Sequence, residues 1–460
     1  MLYDNPFDKI RISPGQLIPV SFLATILAGA LLLMLPISTA SGHMTDFVTA
    51  LFTSTTSVCV TGLVVVDTYS YWSMFGQFVI LVLIQIGGLG VITVTSMIML
   101  ISKKKFHLGN RLLLGDSLNI DSTRGLLHTL TRIFKGVFLV EAIGAILCAI
   151  RIVPVLGLWQ GLWASLFQSV SAFCNAGMDV IGPNSMIDFH SSRLLMITVM
   201  LLIILGGLGF VVWFDLIDEI KNAYCSGQGI FSFFGKLHEH SKIVLLVTAG
   251  LIIFGAACIF VFEGDNPETL GAMSVPDRIL NSLFESVTFR TAGFASFPQE
   301  SMNEISCVIG CIIMFIGGSP VGTAGGVKTV TVFLFFMNAL SYIRGRKENV
   351  VFNRRVPEEM MRKSSAIVFV SMTTVCVMTI LLMTRGGIVF TDALFEVVSA
   401  LATVGLSRAL TPHLDTIGRI IIIISMYLGR IGPISMAIFF SKGSGYENRI
   451  KHAEGKFYVG

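Results

Sequence analysis

TSVCVTGL, residues 56–63, decides how this chain is read: an uncharged stretch, rich in hydroxyls, that ends a short amphipathic run at a glycine. Three further stretches repeat it, SAFCNAGM at 171–178, TFRTAGF at 288–294 and SALATVGL at 399–406. A phenylalanine lies upstream of each, at Phe52, Phe167, Phe284 and Phe395. It stands ten residues before the glycine in copies one, two and four, and nine in the third. One unit used four times around an axis encloses a hole.

The rest of the chain says where that hole lies. Of 460 residues 53% are hydrophobic and 13% charged, and the mean hydropathy is +0.80, a composition that excludes an ordinary soluble domain. Nearly uncharged runs recur at 17–39, 73–102, 133–155, 194–217, 242–262, 305–341, 364–384 and 417–441. Each can cross about 30 Å of hydrocarbon as a helix. The first run passes Pro36 without a cleavage site and reads as a retained helix. Each quoted stretch follows a segment too short to span (46–57, 159–171, 277–288 and 391–400), which suits a half-length pore helix. Non-helical backbone after it is tolerated at membrane depth only when buried in protein or lining water.

Charge sets the orientation. Seven Lys and Arg fall in 103–135 and seven in 344–363, which places those loops and both termini in the cytoplasm. The opposite loops hold fourteen acids against five arginines. That face attracts cations, although positive-inside topology alone also depletes it of basic residues. The net charge of +4 averages the two faces. Eight cysteines, seven of them in or beside apolar runs, make no C-x-x-C pair and read as small apolar fillers.

A second mark recurs downstream: Ile86-Gly87-Gly88, Leu205-Gly206-Gly207, Ile316-Gly317-Gly318 and Leu428-Gly429-Arg430. Close helix packing accounts for the first two copies. The third apolar run holds more, because GGSPVGTAGG at 317–326 brings five glycines and a proline into the middle of an apolar stretch. A continuous helix through it is disfavoured, and the run is long enough for two half helices with a loop between them; a kinked helix is the alternative.

For a dehydrated alkali cation, extended backbone carbonyls replace the hydration shell without adding formal charge. Glycine leaves their path clear, and each half helix turns its negative end toward the cavity. With VTGL (Val60 to Leu63), NAGM (Asn175 to Met178), RTAGF (Arg290 to Phe294) and TVGL (Thr403 to Leu406), the fourfold plan resembles the Trk/Ktr/HKT potassium transporter superfamily over roughly 15–442, and within it the bacterial Ktr-type membrane subunits. The expected fold is an all-α polytopic membrane protein of four tandem helix, pore loop, helix repeats about a pseudo-fourfold pore. The repeats fall at 1–102, 103–222, 223–347 and 348–442, with a cytoplasmic tail at 443–460.

The resemblance implies a selectivity filter that binds K+ at Val60, Thr61, Gly62, Asn175, Ala176, Gly177, Thr291, Ala292, Gly293, Thr403, Val404 and Gly405. Glycine in all four copies implies potassium, since sodium-permeating members carry serine in the first. It further implies a gate at Gly317, Gly318, Ser319, Gly322, Gly325 and Gly326. Arg430 is expected to hydrogen-bond loop carbonyls and to add an electrostatic barrier. Lys328 is a candidate for the same work or a snorkelling helix-end residue. Arg290 is expected to turn behind the filter and brace it against Glu285 or Glu396. Gln85 and Glu141 read as interhelix hydrogen-bond partners.

No covalent cofactor is expected; K+ is the substrate and Na+ a candidate activator. The expected partners are a second copy in a homodimer, a cytosolic nucleotide-binding regulatory ring contacting 103–135, 344–363 and 442–460, and the lipid of a plasma membrane; no nucleic acid is expected. No HExxH, GxSxG or phosphate-loop motif supports an enzyme. A sodium-coupled secondary transporter is the alternative, although it predicts inverted repeats and buried acids at the site.

Overall fold

The computed structural model describes residues 14–91, 93–94, 96, 126–226, 233–346 and 348–432. The expected contacts at 103–125 and 442–460 lie outside these residues. Helices dominate, and the chain is a polytopic membrane protein. Those longer than four residues are, in chain order, α1 (Pro14–Leu33), α2 (Phe47–Cys59), α3 (Met74–Leu89), α4 (Leu126–Leu156), α5 (Leu158–Cys174), α6 (Arg193–Leu208), α7 (Phe210–Cys225), α8 (Glu239–Glu263), α9 (Val275–Thr288), α10 (Glu304–Phe315), α11 (Thr329–Ile343), α12 (Glu358–Met383), α13 (Phe390–Ala402) and α14 (Thr416–Ile431). A hairpin of β1 (Val350–Val351) and β2 (Arg354–Arg355) joins α11 to α12.

The short pore helices α2, α5, α9 and α13 follow the four outer helices α1, α4, α8 and α12. Local features start one of them and stop three. Asp46 caps α2 by accepting from the Val48 and Thr49 N–H groups at 3.0 and 3.3 Å, satisfying donors that a helix start leaves unpaired. At the other end Val60, Asn175 and Thr403 take left-handed backbone angles, φ 56°, 59° and 53°, which end α2, α5 and α13.

Between apolar helices in lipid no hydrophobic force drives association, so small residues and interhelical hydrogen bonds take its place. Gly29, Gly144 and Gly255 on the outer helices face Ser54, Ser169 and Ser286 on the pore helices. Those serines donate to the carbonyls of Ile26 (2.6 Å), Glu141 (2.7 Å) and Ile252 (2.8 Å). Each bond contributes about 0.6 kcal/mol by the average measured in bilayers. The fourth pore helix has Val397 at this place, and its outer helix α12 is only 17% buried over its most apolar window, against 28% for α4 and 33% for α8.

One expectation changes. The runs 73–102, 194–217 and 417–441 read as continuous spans, yet α3, α6 and α14 all stop at a left-handed-φ glycine, Gly90 (φ 87°), Gly209 (φ 86°) and Gly432 (φ 86°). After Gly209 the chain continues as α7, turned 100° from α6. Glycine alone takes such angles freely, so a single residue breaks a span that hydropathy reads as unbroken. Residues 97–102 and 433–441 lie outside the description.

Candidate functional site: a four-glycine constriction over a loop

The four quoted stretches meet at one point. A Cβ on Gly62 would stand 2.6 Å from the Ala176 carbonyl oxygen, and one on Gly177 would stand 2.6 Å from that of Ala292. A Cβ on Gly293 would strike the Val404 carbonyl, and one on Gly405 that of Thr61. Each glycine therefore abuts the carbonyl just before the next repeat's glycine, and the order 1, 2, 3, 4, 1 closes into a ring. The glycine Cα atoms also converge: the Gly62 Cβ position is 3.1 and 3.2 Å from the Cα atoms of Gly177 and Gly405. At φ 101°, 64°, 84° and 100° these residues are held where a side chain is both strained and unaccommodated.

The turns are fastened from behind. Thr61, Ala176 and Val404 N–H groups donate to the Thr56, Ser171 and Ser399 carbonyls, each at 2.8 Å. Side-chain hydroxyls hold the next residue: Thr56 accepts from Gly62 N–H at 2.9 Å, Ser399 from Gly405 N–H at 3.0 Å, and Thr288 from Phe294 N–H at 2.8 Å. The carbonyls are left free. Among the described residues none of those from Val60 to Gly62, Asn175 to Gly177, Thr291 to Gly293 or Thr403 to Gly405 accepts a hydrogen bond within the protein. Buried backbone acceptors are paired almost without exception, so the four idle ones that meet the glycines, those of Thr61, Ala176, Ala292 and Val404, call for a partner. The buried hydroxyls of Thr61, Thr291 and Thr403 are likewise without a protein partner.

Left-handed angles at the β-branched residues Val60, Thr291 and Thr403 each cost about 1–3 kcal/mol, which surrounding contacts must overcome. Two of those contacts escaped the reading of the sequence. The residue after the signature phenylalanine is a fully buried glutamate in the third and fourth copies. Glu285 accepts from the Ser296 N–H (2.7 Å) and hydroxyl (2.9 Å) and the Gln299 amide (3.4 Å); Glu396 accepts from the hydroxyls of Ser407 (2.7 Å) and Thr411. Both glutamates thus hold the chain leaving the filter. The matching places in the first two copies are Thr53 and Gln168. Position relative to the phenylalanine was the available signal.

Arg290 requires a correction. It is buried and turned to the outer helix α8, where its guanidinium donates to the Thr248 hydroxyl at 3.3 Å. It forms no ion pair with Glu285 or Glu396, whose oxygens are already occupied by their serine, threonine and glutamine partners.

Below the ring the 317–326 segment forms a loop between α10 and α11. Gly317 and Gly318 N–H groups donate to Val327 O (3.1 Å) and Gly325 O (3.2 Å), closing the loop on itself. Ser319 and Thr323 N–H groups donate to Gly207 O (3.0 Å) and Gly206 O (3.1 Å), and Phe210 N–H donates to Val321 O (3.2 Å), which ties the loop to repeat two. The Thr323 hydroxyl donates to Phe173 O in the last turn of α5 at 3.0 Å. On the other side, a Cβ on Gly325 would meet the Thr403 hydroxyl and lie 2.7 Å from Ala402 O.

Arg430 joins this loop to repeat one. Its guanidinium donates to Thr323 O at 2.7 Å, to Gly87 O, and to Gly88 O at 3.4 Å. Lys328 donates to Ala324 O at 2.6 Å, within its own loop. A cavity of about 460 Å3 lies on this side, with Gly322, Gly325, Gly326, Lys328 and Arg430 in its wall. The repeated glycine pair has a geometric cause here. Gly87, Gly206 and Gly429 press onto the carbonyls of Val58, Phe173 and Leu401 in the pore helices, whereas Gly317 meets Gly325 of the loop. Gln85 and Glu141 face each other across repeats one and two, the amide donating at 3.0 Å.

A ring of unpaired backbone carbonyls closed by four repeats, above a loop pinned by an arginine, is the architecture of a cation-conducting membrane protein. The family model described as cation transport protein, TrkH, matches residues 14–449, and the chain belongs to that family; its members are transport proteins and not enzymes. It is 36% identical to the Ktr system potassium uptake protein B of Bacillus subtilis over 99% of both chains. It is 35% identical to the potassium/sodium uptake protein NtpJ of Enterococcus hirae over 98% of both. The crystal structure of the potassium transporter TrkH from Vibrio parahaemolyticus superposes with a TM-score of 0.73 at 16% identity, covering 95% of this chain and 87% of that one.

Proposed function

We propose that this protein is the pore-forming membrane subunit of a Ktr-type potassium uptake system. The observation that carries it is the closed ring, in which each filter glycine abuts the carbonyl preceding the next while the filter carbonyls accept no hydrogen bond among the described residues. Such carbonyls replace the hydration shell of K+ entering from the acidic face, and the pore-helix ends add dipole attraction. Full-length similarity to a protein named for potassium uptake in the Ktr system supports the substrate and the dependence on other subunits.

Conduction is gated by the 317–326 loop. Arg430 binds the Thr323 carbonyl of the loop and the Gly87 carbonyl of repeat one, so a cationic group pins the loop in place, and opening requires both to withdraw. The protein acts as a homodimer in the plasma membrane with both termini cytoplasmic, and a cytosolic nucleotide-binding ring controls the loop. Na+ acts as an activator. The relative named for both potassium and sodium uptake favours a second reading, in which sodium is itself carried or coupled.

One experiment separates these readings: potassium and rubidium uptake into a transport-deficient bacterium, with and without sodium and with and without a co-expressed cytosolic subunit. Potassium uptake that sodium accelerates without entering supports activation. Sodium entry in fixed proportion to potassium supports coupling, and no uptake of either ion by an expressed protein rejects the pore.

A further inference from the structure

One groove outside the filter and its loop combines basic side chains with apolar depth. It lies in the angle between α4 and α7, created where α7 leaves α6 at 100°, and encloses about 630 Å3. His128, Arg132 and Lys135 line one wall, four and then three residues apart on one face of α4. Leu139, Leu216 and Ile217 line the other part, with Leu139 61% and Ile217 50% exposed. Arg132 is anchored by Asp218 at 2.7 Å and lies 4.5 Å from the Phe214 ring centroid. Lys135 is exposed.

The helix α7 is built to lie along a membrane surface. Ile217 and Ile220 share one face and Asp215 and Glu219 lie on the other, with Phe214 and Asp218, four residues apart, meeting Arg132 at the boundary. A two-faced helix bent out of a spanning one rests at headgroup depth. Basic side chains there attract anionic headgroups.

We propose that this groove binds an anionic phospholipid, its phosphate held by Lys135 and Arg132 and an acyl chain laid along Leu139, Leu216 and Ile217. The site reaches the conduction path through its floor. Trp213 donates its indole N–H to Leu205 O at 2.9 Å and packs edge-on to Phe173 at 5.7 Å, two residues before Asn175. The first residue of α7, Phe210, is the one whose N–H donates to Val321 of the loop. An occupied groove therefore steadies the elbow from which one side of the loop hangs.

The test has a lipid readout that stands whichever ion the pore carries. Purified full-length protein is offered phosphatidylglycerol and phosphatidylcholine, and bound lipid is counted by native mass spectrometry. Rubidium flux is then compared in vesicles of phosphatidylcholine with and without phosphatidylglycerol. Phosphatidylglycerol is retained preferentially, Lys135→Ala weakens its retention about five-fold, and Lys135→Arg restores it. Leu139→Trp, which fills the apolar part with every charge intact, also expels the lipid. In Lys135→Ala and Leu139→Trp the flux ratio between the two vesicle types falls toward one. Equal retention of both lipids, or phosphatidylglycerol retention untouched by either variant, overturns the proposal. So does loss of a protein dimer with bound lipid unchanged, which makes the groove a face between copies. Lipid loss with an unaltered flux ratio overturns the link to the loop.

Discussion

The ring and the loop beneath it lie within contact of each other and are built on opposite principles. Four segments that share a glycine and its spacing from a phenylalanine make the ring, each abutting the next. One segment, from the third repeat alone, makes the loop, and it is fastened to the second, fourth and, through Arg430, first repeats by contacts that share no symmetry. A filter must surround an ion evenly, since a dehydrated cation needs similar oxygens on all sides. A gate needs one part that can move without disturbing the other three. On the proposed function, repetition supplies the first and departure from repetition the second.

Breaking the symmetry of the ring gives the largest effect. Gly62→Ser puts an atom against the Ala176 carbonyl; the preference for potassium over sodium falls about ten-fold or more by the logic of carbonyl coordination, and unchanged relative permeation in flux assays counts against the filter assignment. Releasing the loop comes next. Arg430→Ala removes hydrogen bonds from a charged donor, each worth about 1.5–3 kcal/mol, and raises rubidium flux about ten-fold, as does deletion of 318–326. No flux from a normally expressed Arg430→Ala protein makes the arginine purely structural.

The third test concerns the glutamate braces that only two repeats possess. Glu396→Ala leaves the Ser407 and Thr411 hydroxyls without their acceptor and lowers potassium selectivity about three-fold by loosening the fourth turn. Glu396→Gln, which keeps an acceptor, recovers most of it. Equal selectivity in both variants and the parent removes the brace from the mechanism.

The smallest expected effect is on pH. Asp179, two residues past Gly177, is nearly buried in the loop outside the ring; burial raises its carboxyl pKa to about 7, with the Ser185 hydroxyl opposing the rise and Asp67 adding to it. The sign follows from linkage. A carboxylate whose folded pKa is raised holds its proton better folded than unfolded, so its contribution to stability declines as pH climbs from 3.8 to about 7 and stays low above that. In the folded protein the carboxyl ionises about pH 7, which adds negative charge at the mouth and raises uptake by about two-fold, read as initial rates between pH 6 and 8. Asp179→Asn flattens that slope; an unaltered slope frees Asp179 of the role.

Much of the site was legible because it is written in short repeats. The four glycines, the phenylalanine spacing and the glycine pairs are local patterns, and local patterns fix local backbone. The breaks at Gly90, Gly209 and Gly432 were illegible to hydropathy, since one glycine barely changes the mean over a twenty-residue window. The partners of Arg290 were misread for a different reason. Charge complementarity pointed to Glu285 or Glu396, but hydroxyls and amides from the chain beyond the filter had already filled those carboxylates, and the guanidinium turned to Thr248.

Sequence by itself determined that this chain lies in a membrane, that one unit was used four times, and which residues stand at the constriction, because burial in lipid and repeat spacing leave few other solutions. Only the tertiary structure decided which carbonyl each glycine abuts, what Arg430 holds, and where α7 leaves α6. Those depend on which distant hydrogen-bonding groups find each other first in a medium that offers no water as an alternative.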